Sequence, residues 1–263
     1  MSEIDLSVGL TGGRLANPTL LASGVAGESV ESLLSAIKVG AGGAVSKSIG
    51  LKPRRGYPDP TVVRLDAGTI NAVGLSNPGA AVFSKRLDSL KGGDAPIIVS
   101  VFGGSPAEFS KVVRTLDGKN FAGYEPNLSC PHVEGVGTEV GHDPELVARV
   151  VKSVKSATGK PVFAKLSPNT ERIPEVARAA VDEGVDGITA INTVRATMID
   201  VETQRPVLSH RTGGLSGSAI RPIALRCVYE LSEEFEVPIM GVGASPGGIM
   251  RFNSCSRAPP RSR

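Results

Sequence analysis

The chain has few cysteines, no tryptophan and little excess charge, and each of these scarcities excludes a class of protein. Its three cysteines, Cys130, Cys227 and Cys255, form no CxxC pair. An odd number of widely spaced cysteines argues against a disulfide framework or a zinc site and fits a reducing cytosol. The net charge of +3 arises from 29 basic and 26 acidic residues. That excess is too small to predict binding to nucleic acid or to an anionic membrane.

Long hydrophobic runs and a targeting segment are also lacking. No segment approaches the roughly 18 consecutive apolar residues of a membrane span. The first five residues include two acids, where a signal peptide needs a basic start and an apolar run. We therefore expect a cytoplasmic protein. The 263 residues, 40% of them hydrophobic, suffice for one sizeable core and suit either a single α/β barrel or two small domains.

Short apolar runs alternate with longer amphipathic segments along the chain. The runs are β-branched or bounded by Gly or Pro, which is typical of buried parallel strands. Seven strands are predicted, at 18–24, 43–48, 96–103, 121–129, 161–167, 187–193 and 237–243. The helices predicted between them cover 28–38, 80–90, 106–116, 144–157, 173–183 and 220–235. Asp143 followed by Pro144 is a good helix start, because Asp caps and Pro suits the first helical position.

Repeated strand–helix units predict an α/β fold with a parallel sheet and helices outside it. We expect a (β/α)8 TIM barrel whose last β/α unit is missing or garbled, since seven strands are found where a closed barrel needs eight. An open doubly wound sheet is the alternative fold. Polar residues fall at the carboxyl ends of the strands, which is the catalytic face of a barrel. They are Ser23, Lys47, Asn127, Cys130, Lys165 and Asn192.

Several of these residues have both a structural and a chemical interpretation. Cys130 could be a buried small hydrophobe or a base with a lowered pKa. Lys47 and Lys165 interrupt apolar strands, so they either extend to solvent or meet a shared anionic ligand. Asn71 and the pair Asn192-Thr193 could serve turns or bind a ligand. The GGLSG segment at 213–217 precedes a predicted helix and suits phosphate, although a Gly-rich loop alone is a weak signal.

Eight motifs in order resemble class 1 dihydroorotate dehydrogenases. They are ASG (22–24), SKS (46–48), NAVGLSNPG (71–79), NLSCP (127–131), AKLSPN (164–169), INT (191–193), GGLSG (213–217) and GVG (241–243). The resemblance covers roughly residues 4 to 252 and implies FMN-dependent oxidation of dihydroorotate to orotate, with hydride transfer to the flavin. Cys130 matches the family's general base, which removes a proton from the substrate.

The resemblance also implies two sets of binding residues. Cofactor contacts are expected at Ser23, Lys47, Ser48, Ser100, Asn127, Lys165, Ile191, Gly217 and Gly243. Substrate contacts are expected at Lys47, Asn71, Ala72, Val73, Gly74, Leu75, Asn127, Asn192 and Thr193. Lys165 would place a cation beside reduced flavin, and amide side chains suit a pyrimidine ring that offers donors and acceptors.

The resemblance also carries expectations about partners. Cysteine rather than serine at position 130 is typical of class 1 enzymes. Within class 1, the chain resembles most the type that pairs with a subunit carrying FAD and an iron–sulfur cluster and passes electrons to NAD. A homodimer or a heterotetramer with that subunit is therefore expected. No metal site in this chain and no nucleic-acid or membrane partner are expected.

Two alternatives remain open. His132 stands where many family members have a substrate-binding asparagine, and the CPH triplet also occurs in dihydropyrimidine dehydrogenases, which reduce uracil and thymine. A catalytically inactive, truncated barrel acting as a scaffold is the non-enzymatic alternative. The motif NAVGLSNPG and the surroundings of Lys47 favour dihydroorotate as the substrate.

The sequence departs from the family pattern after Gly243. We expect a catalytic domain at 1–252 and an aberrant tail at 253–263, with a lost phosphate site and an unpaired gap between the seventh strand and the first. Residues 257–263, RAPPRSR, can be encoded by codons that give AGASAVQ in another frame, which resembles the family's segment before its last strand. We hypothesise a frameshift, with a natural variable tail as the alternative.

Resequencing the DNA under codons 240–263 tests the frameshift hypothesis. If the hypothesis is right, a base has been inserted or lost in that window, and correcting it should restore the family pattern. A clean reading frame that the transcript reproduces would contradict the hypothesis.

Overall fold

The computed structural model describes residues 5–11, 13–90, 95–129, 140–243 and 249–253. Its strands are β1 Val8–Leu10, β2 Gly13–Leu15, β3 Thr19–Leu21, β4 Gly43–Val45, β5 Val62–Leu65, β6 Gly68–Asn71, β7 Ile97–Val101, β8 Gly123–Pro126, β9 Phe163–Leu166, β10 Gly187–Ala190, β11 Val194–Ala196, β12 Ile199–Asp200, β13 Arg205–Pro206, β14 Gly213–Ser216, β15 Ile239–Gly241 and β16 Ile249–Asn253. Its helices are α1 Val30–Lys38, α2 Ala80–Leu87, α3 Pro106–Leu116, α4 Pro144–Lys155, α5 Ile173–Asp182 and α6 Arg221–Glu234. None of these helices is long and apolar enough to cross a membrane.

The main sheet confirms the predicted α/β fold. Each of the seven predicted strands and six predicted helices corresponds to an element of the structure. The strand order is β8-β7-β4-β3-β16-β15-β10-β9, and every described pairing in this sheet that does not involve β16 is parallel. The predicted start of α4 is also correct, since the Asp143 side chain accepts hydrogen bonds from the backbone of Glu145 and Leu146.

The two outermost strands of this sheet, β8 and β9, lie side by side. Parallel bridges join Tyr124 to Val162 and Asn127 to Lys165. The backbone N–H of Tyr124 donates to the Pro161 carbonyl at 2.8 Å, and that of Leu128 donates to the Lys165 carbonyl at 3.2 Å. These bonds bring the carboxyl ends of β8 and β9 together.

The expected gap between the seventh strand and the first is not present. β16 pairs antiparallel with β15 on one side and with β3 on the other. The short segment after β15 thus supplies backbone donors and acceptors to both neighbours, so neither is left as an open edge at these positions. The prediction of two unpaired edges was therefore wrong.

A second sheet of four antiparallel strands, in the order β11-β14-β6-β5, was not predicted from the sequence. Its β14 takes up most of the GGLSG segment, which was interpreted as a loop before a helix. Gly214 is required there by packing, because a Cβ at this position would lie 2.0 Å from Thr193 Oγ1. A Cβ on Gly213 would lie 2.4 Å from the Asn71 carbonyl oxygen, so this glycine allows the close approach of the β14 and β6 backbones.

Two separate hydrophobic clusters pack on opposite faces of the main sheet. The larger contains the apolar faces of the helices. The smaller one takes side chains from five strands of the sheet and from the β1–β2 hairpin, namely Leu10, Leu15, Leu20, Val45, Ile98, Phe163 and Met240. These strand residues thus form a cluster separate from the one that packs against the helices.

Phe163 occupies space that two glycines leave open on the neighbouring strands. A Cβ on Gly187 would lie 2.9 Å from Phe163 Cδ1, and one on Gly123 would lie 3.2 Å from Phe163 Cε2. The ring is fully buried. The Phe163 ring thus fills the space that the two glycines leave, as the close packing of protein interiors requires.

We therefore predict that Gly187→Ala destabilises the fold by about 1–3 kcal/mol, as overpacking typically does. The new methyl group would also come within 2.9 Å of the Pro238 carbonyl, which cannot move independently of β15. Urea denaturation of both variants measures the effect against Gly159→Ala, whose Cβ would meet nothing within 4 Å. Equal free energies of unfolding for the two variants would contradict this packing argument.

Candidate active site

Asn127 connects the carboxyl ends of several strands of the main sheet. Its amide nitrogen donates to Ser48 Oγ at 3.2 Å, and its amide oxygen accepts from Asn192 Nδ2 at 3.0 Å. Ser48 Oγ lies 3.0 Å from Ser100 Oγ. The ends of β4, β7, β8 and β10 are thus joined by side chains that the sequence placed in one site.

Lys47 lies at the same edge, immediately after β4, and is 9% exposed. Its ammonium forms an ion pair with Glu28 Oε1 at 2.6 Å and donates to Ser76 Oγ at 2.6 Å. An ammonium has three donor hydrogens, so the two acceptors among the described residues leave one donor for a ligand. The contact with Ser76 also joins the 71–79 motif to the strand ends.

Lys165 lies within β9 and is 4% exposed. Glu125 Oε1 is 3.4 Å from its ammonium nitrogen, and Glu125 itself is fully buried. A charge-assisted hydrogen bond normally spans about 2.7–2.9 Å. The pair is therefore loose, and the Lys165 ammonium keeps donor capacity for another acceptor.

The predicted substrate loop leaves the antiparallel sheet at the end of β6. Asn71 Nδ2 donates to the Gly214 carbonyl at 3.2 Å. Beyond it, Ala72 through Leu75 are half-buried, and the Val73 carbonyl accepts from the Tyr57 N–H at 3.2 Å. The loop thus reaches Lys47 through Ser76 rather than through Asn71.

The segment after β10 is held by a second amide. Asn169 Nδ2 donates to the Thr193 carbonyl at 3.2 Å, and the Thr193 N–H donates to Asn192 Oδ1 at 2.8 Å. Ile191 is buried beside them. Asn192, which also bonds Asn127, and Thr193 are thereby held close together.

Three predicted cofactor residues lie at neighbouring strand ends without joining this network. Ser23 follows β3, Gly243 follows β15, and Gly217 lies between β14 and the 3₁₀ turn Ser218–Ile220. Among the described residues, no hydrogen bond connects the Ser23 side chain to Asn127 or to either lysine. Ser23 and Gly243 thus lie at the carboxyl ends of strands of the main sheet, whereas Gly217 follows a strand of the antiparallel sheet.

Cys130, the predicted base, lies outside the described residues, as do His132 and Cys255. Its neighbour Ser129 donates its N–H to Asn127 Oδ1 at 3.2 Å, so the chain enters that segment from the centre of the site. Cys227 lies in α6, away from these residues, where burial raises the pKa of its thiol.

The sequence analysis overlooked two acids that hold the site lysines, Glu28 and Glu125. Glu28 lay in a segment interpreted only as amphipathic helix. Glu125 lay inside the apolar run FAGYEPNLS, and an acid in a buried strand is costly unless it is paired. That cost was the available signal for Glu125. No comparable signal marked Glu28, which is half exposed.

The fold and the site together define a class of protein. Two cations and several neutral amide and hydroxyl groups converge at the carboxyl ends of a largely parallel sheet. Such a set suits an α/β enzyme that binds an anionic heterocyclic ligand, because cations meet its charge and amides meet its ring edges.

Comparison with known proteins narrows the class to one family. The family model for dihydroorotate dehydrogenase matches residues 5–250. The catalytic subunit of dihydroorotate dehydrogenase B (NAD(+)) from Pyrococcus furiosus is 49% identical over 91% of this chain and 79% of the relative. The subunit of the same name from Archaeoglobus fulgidus is 47% identical over 96% of this chain and 82% of the relative.

The chain belongs to the dihydroorotate dehydrogenase family, whose members are FMN-dependent oxidoreductases of pyrimidine biosynthesis. The family predicted from the eight motifs is thereby confirmed. A crystal structure of dihydroorotate dehydrogenase from Eimeria tenella in complex with ferulenol has a TM-score of 0.75 with this chain, at 23% identity over 92% of it and 73% of that chain. That similarity supports the fold alone.

Proposed function

We propose that this chain oxidises dihydroorotate to orotate and is the catalytic subunit of an NAD-linked enzyme. The observation that carries the proposal is the Asn127 network, which holds Ser48 and Asn192 together at the strand ends. It lies on the motifs shared with the family, and relatives named catalytic subunit of dihydroorotate dehydrogenase B are 45–49% identical to the chain. Metal-independent amide recognition of this kind fits a pyrimidine ring.

We further propose that the main sheet is a barrel of TIM type in which β16 takes the eighth position. The bridges between β8 and β9 support this, because they join the two ends of the strand order. The cluster around Phe163 supports it too, since five strands of the sheet each contribute a buried side chain to it. In a barrel the interior is filled by layers of such side chains.

The donor set at the strand ends fits FMN. Among the described residues Glu125 is the one side-chain acceptor of the Lys165 ammonium, and that contact is long. It can therefore donate to a flavin ring oxygen or nitrogen, while Ser48, Ser100 and Asn127 offer neutral donors nearby. The remaining contacts are assigned to Ser23, Lys47, Ile191, Gly217 and Gly243. Bound FMN would supply the acceptor for the hydride that leaves the substrate.

The substrate is assigned to the residues of the Asn127 network that the FMN contacts leave available, together with Asn71 and the 72–75 segment. Lys47 would meet the carboxylate with its remaining donor hydrogen. Asn71, Asn127, Asn192 and Thr193 would meet the amide edges of the ring, and Ala72 through Leu75 would contact it through their backbone. Cys130 would accept the proton from the substrate, which a thiolate can do near neutral pH.

A second subunit follows from the same relatives. Their names describe a catalytic subunit of an NAD(+) enzyme, which implies a partner that transfers electrons. We propose a homodimer of this chain in a heterotetramer with a subunit that carries FAD and an iron–sulfur cluster. No group of three metal-binding side chains occurs among the described residues, and the cluster is assigned to the partner.

The half-reaction can be tested directly. We expect purified protein to retain added FMN and its visible absorbance to bleach when dihydroorotate is added without oxygen, because the electron pair moves to the flavin. Dihydrouracil serves as the comparison substrate. Bleaching by dihydrouracil instead would favour the dihydropyrimidine dehydrogenase alternative, and protein that retains no FMN would contradict the proposal.

Cys130→Ala provides the matched test of the base. Loss of general base catalysis commonly reduces rates by about 10²–10⁴-fold, so bleaching by dihydroorotate should slow by that factor at unchanged FMN binding. Cys227→Ala is the control, since that thiol lies away from the site in α6. An unchanged rate in Cys130→Ala would contradict the assignment of Cys130 as the base.

Lys47→Met should weaken orotate more than uracil, which is the same ring without the carboxylate. Loss of one hydrogen bond to a charged group commonly costs about 1.5–3 kcal/mol, which is roughly 10–100-fold in affinity. Titration of the bound flavin spectrum measures both ligands, and Lys111→Met on the exposed face of α3 is the control. Equal weakening of orotate and uracil would contradict a carboxylate contact.

A further inference from the structure

Glu125 is a buried acid that neither the sequence motifs nor the proposed function uses. It is fully buried within β8, and its Oε1 is 3.4 Å from the Lys165 ammonium nitrogen. Its other oxygen, Oε2, has no hydrogen-bond partner among the described residues. An unpaired oxygen on a buried acid is costly, so its retention beside a site lysine calls for a functional reason.

The register of the strands puts Lys165 between two polar side chains at one level of the sheet. Lys165 pairs with Thr189 on β10, and it is bridged to Asn127 on β8, two residues beyond Glu125. The hydroxyl of Thr189 is also buried and without a partner among the described residues. By the same register Glu125 lies level with Phe163, whose other neighbours are apolar.

This arrangement restricts the environment of the ammonium. Glu125 is the only carboxylate within 4.0 Å of the Lys165 ammonium nitrogen among the described residues. Glu125 therefore both holds the ammonium at this level and offsets part of its charge. Because the contact is long, Lys165 remains able to bind a group at the strand ends.

We propose that Glu125 is a positioning residue that moderates the positive charge Lys165 presents to the flavin. The inference rests on the proposed function, which places FMN beside Lys165. A cation beside a flavin favours its reduced, negatively charged form. A carboxylate behind that cation weakens the preference, so the flavin releases electrons more readily to a partner subunit.

The midpoint potential of bound FMN tests the proposal without relying on turnover. In the flavin-loaded protein, Glu125→Gln removes the negative charge at nearly constant shape. The site should then bind reduced flavin about tenfold more tightly relative to oxidised flavin. For a two-electron couple, tenfold corresponds to a potential about 30 mV more positive. Anaerobic titration against a reference dye measures the shift.

Two matched variants separate charge from structure. Thr189→Val removes a second buried polar atom that has no partner among the described residues, without changing charge. Its potential should stay within about 15 mV of wild type, which is roughly threefold in relative affinity. Glu125→Asp keeps the charge and should also lie closer to wild type than Glu125→Gln. A potential in Glu125→Gln that equals that of Thr189→Val would overturn the inference.

A second comparison applies if Glu125→Gln does not fold alone. Lys165→Gln leaves Glu125 without its cation and should lower the potential, and adding Glu125→Gln to it should raise the potential again. Equal potentials for this single and double variant would overturn the inference. Wild-type protein that retains no FMN would overturn the proposed function and this inference together, whereas FMN retention with an unshifted Glu125→Gln overturns the inference alone.

Discussion

The bridge between Asn127 and Lys165 is the contact on which the site depends. It joins β8 to β9 at the two ends of the strand order. The same two residues carry the amide that connects Ser48 to Asn192 and the ammonium that faces Glu125. Because one contact both joins the outer strands and sets the distance between two functional side chains, the site cannot form unless the sheet does.

Side chains on one face of the main sheet change from apolar to polar along the direction of the strands. Near the amino ends of the strands, Phe163 fits between Gly123 and Gly187 in an apolar cluster. Two residues further along β9, Lys165 lies between Asn127 and Thr189, and its ammonium is 3.4 Å from Glu125 Oε1. Side chains alternate along a strand, so two residues are enough to pass from packing to chemistry.

The segments with strong local patterns were predictable. The seven strands, the six helices and the cap at Asp143 all followed from periodicity and capping, because these features depend on neighbours in sequence. The antiparallel sheet could not be predicted, because β6 and β14 are separated by more than a hundred residues in the sequence. Their glycines are also typical of loops. The pairing of β16 with β3 was missed for the same reason.

The sequence by itself determined the family, the order of the strand and helix units and the residue types at the strand ends, because motifs and local periodicity are written in consecutive residues. Only the tertiary structure decided which side chains meet. Glu28 reaches Lys47 across 19 positions and Glu125 reaches Lys165 across 40. Such partners are selected by strand register and by the cost of leaving a buried charge unpaired, and neither quantity exists before the chain has folded.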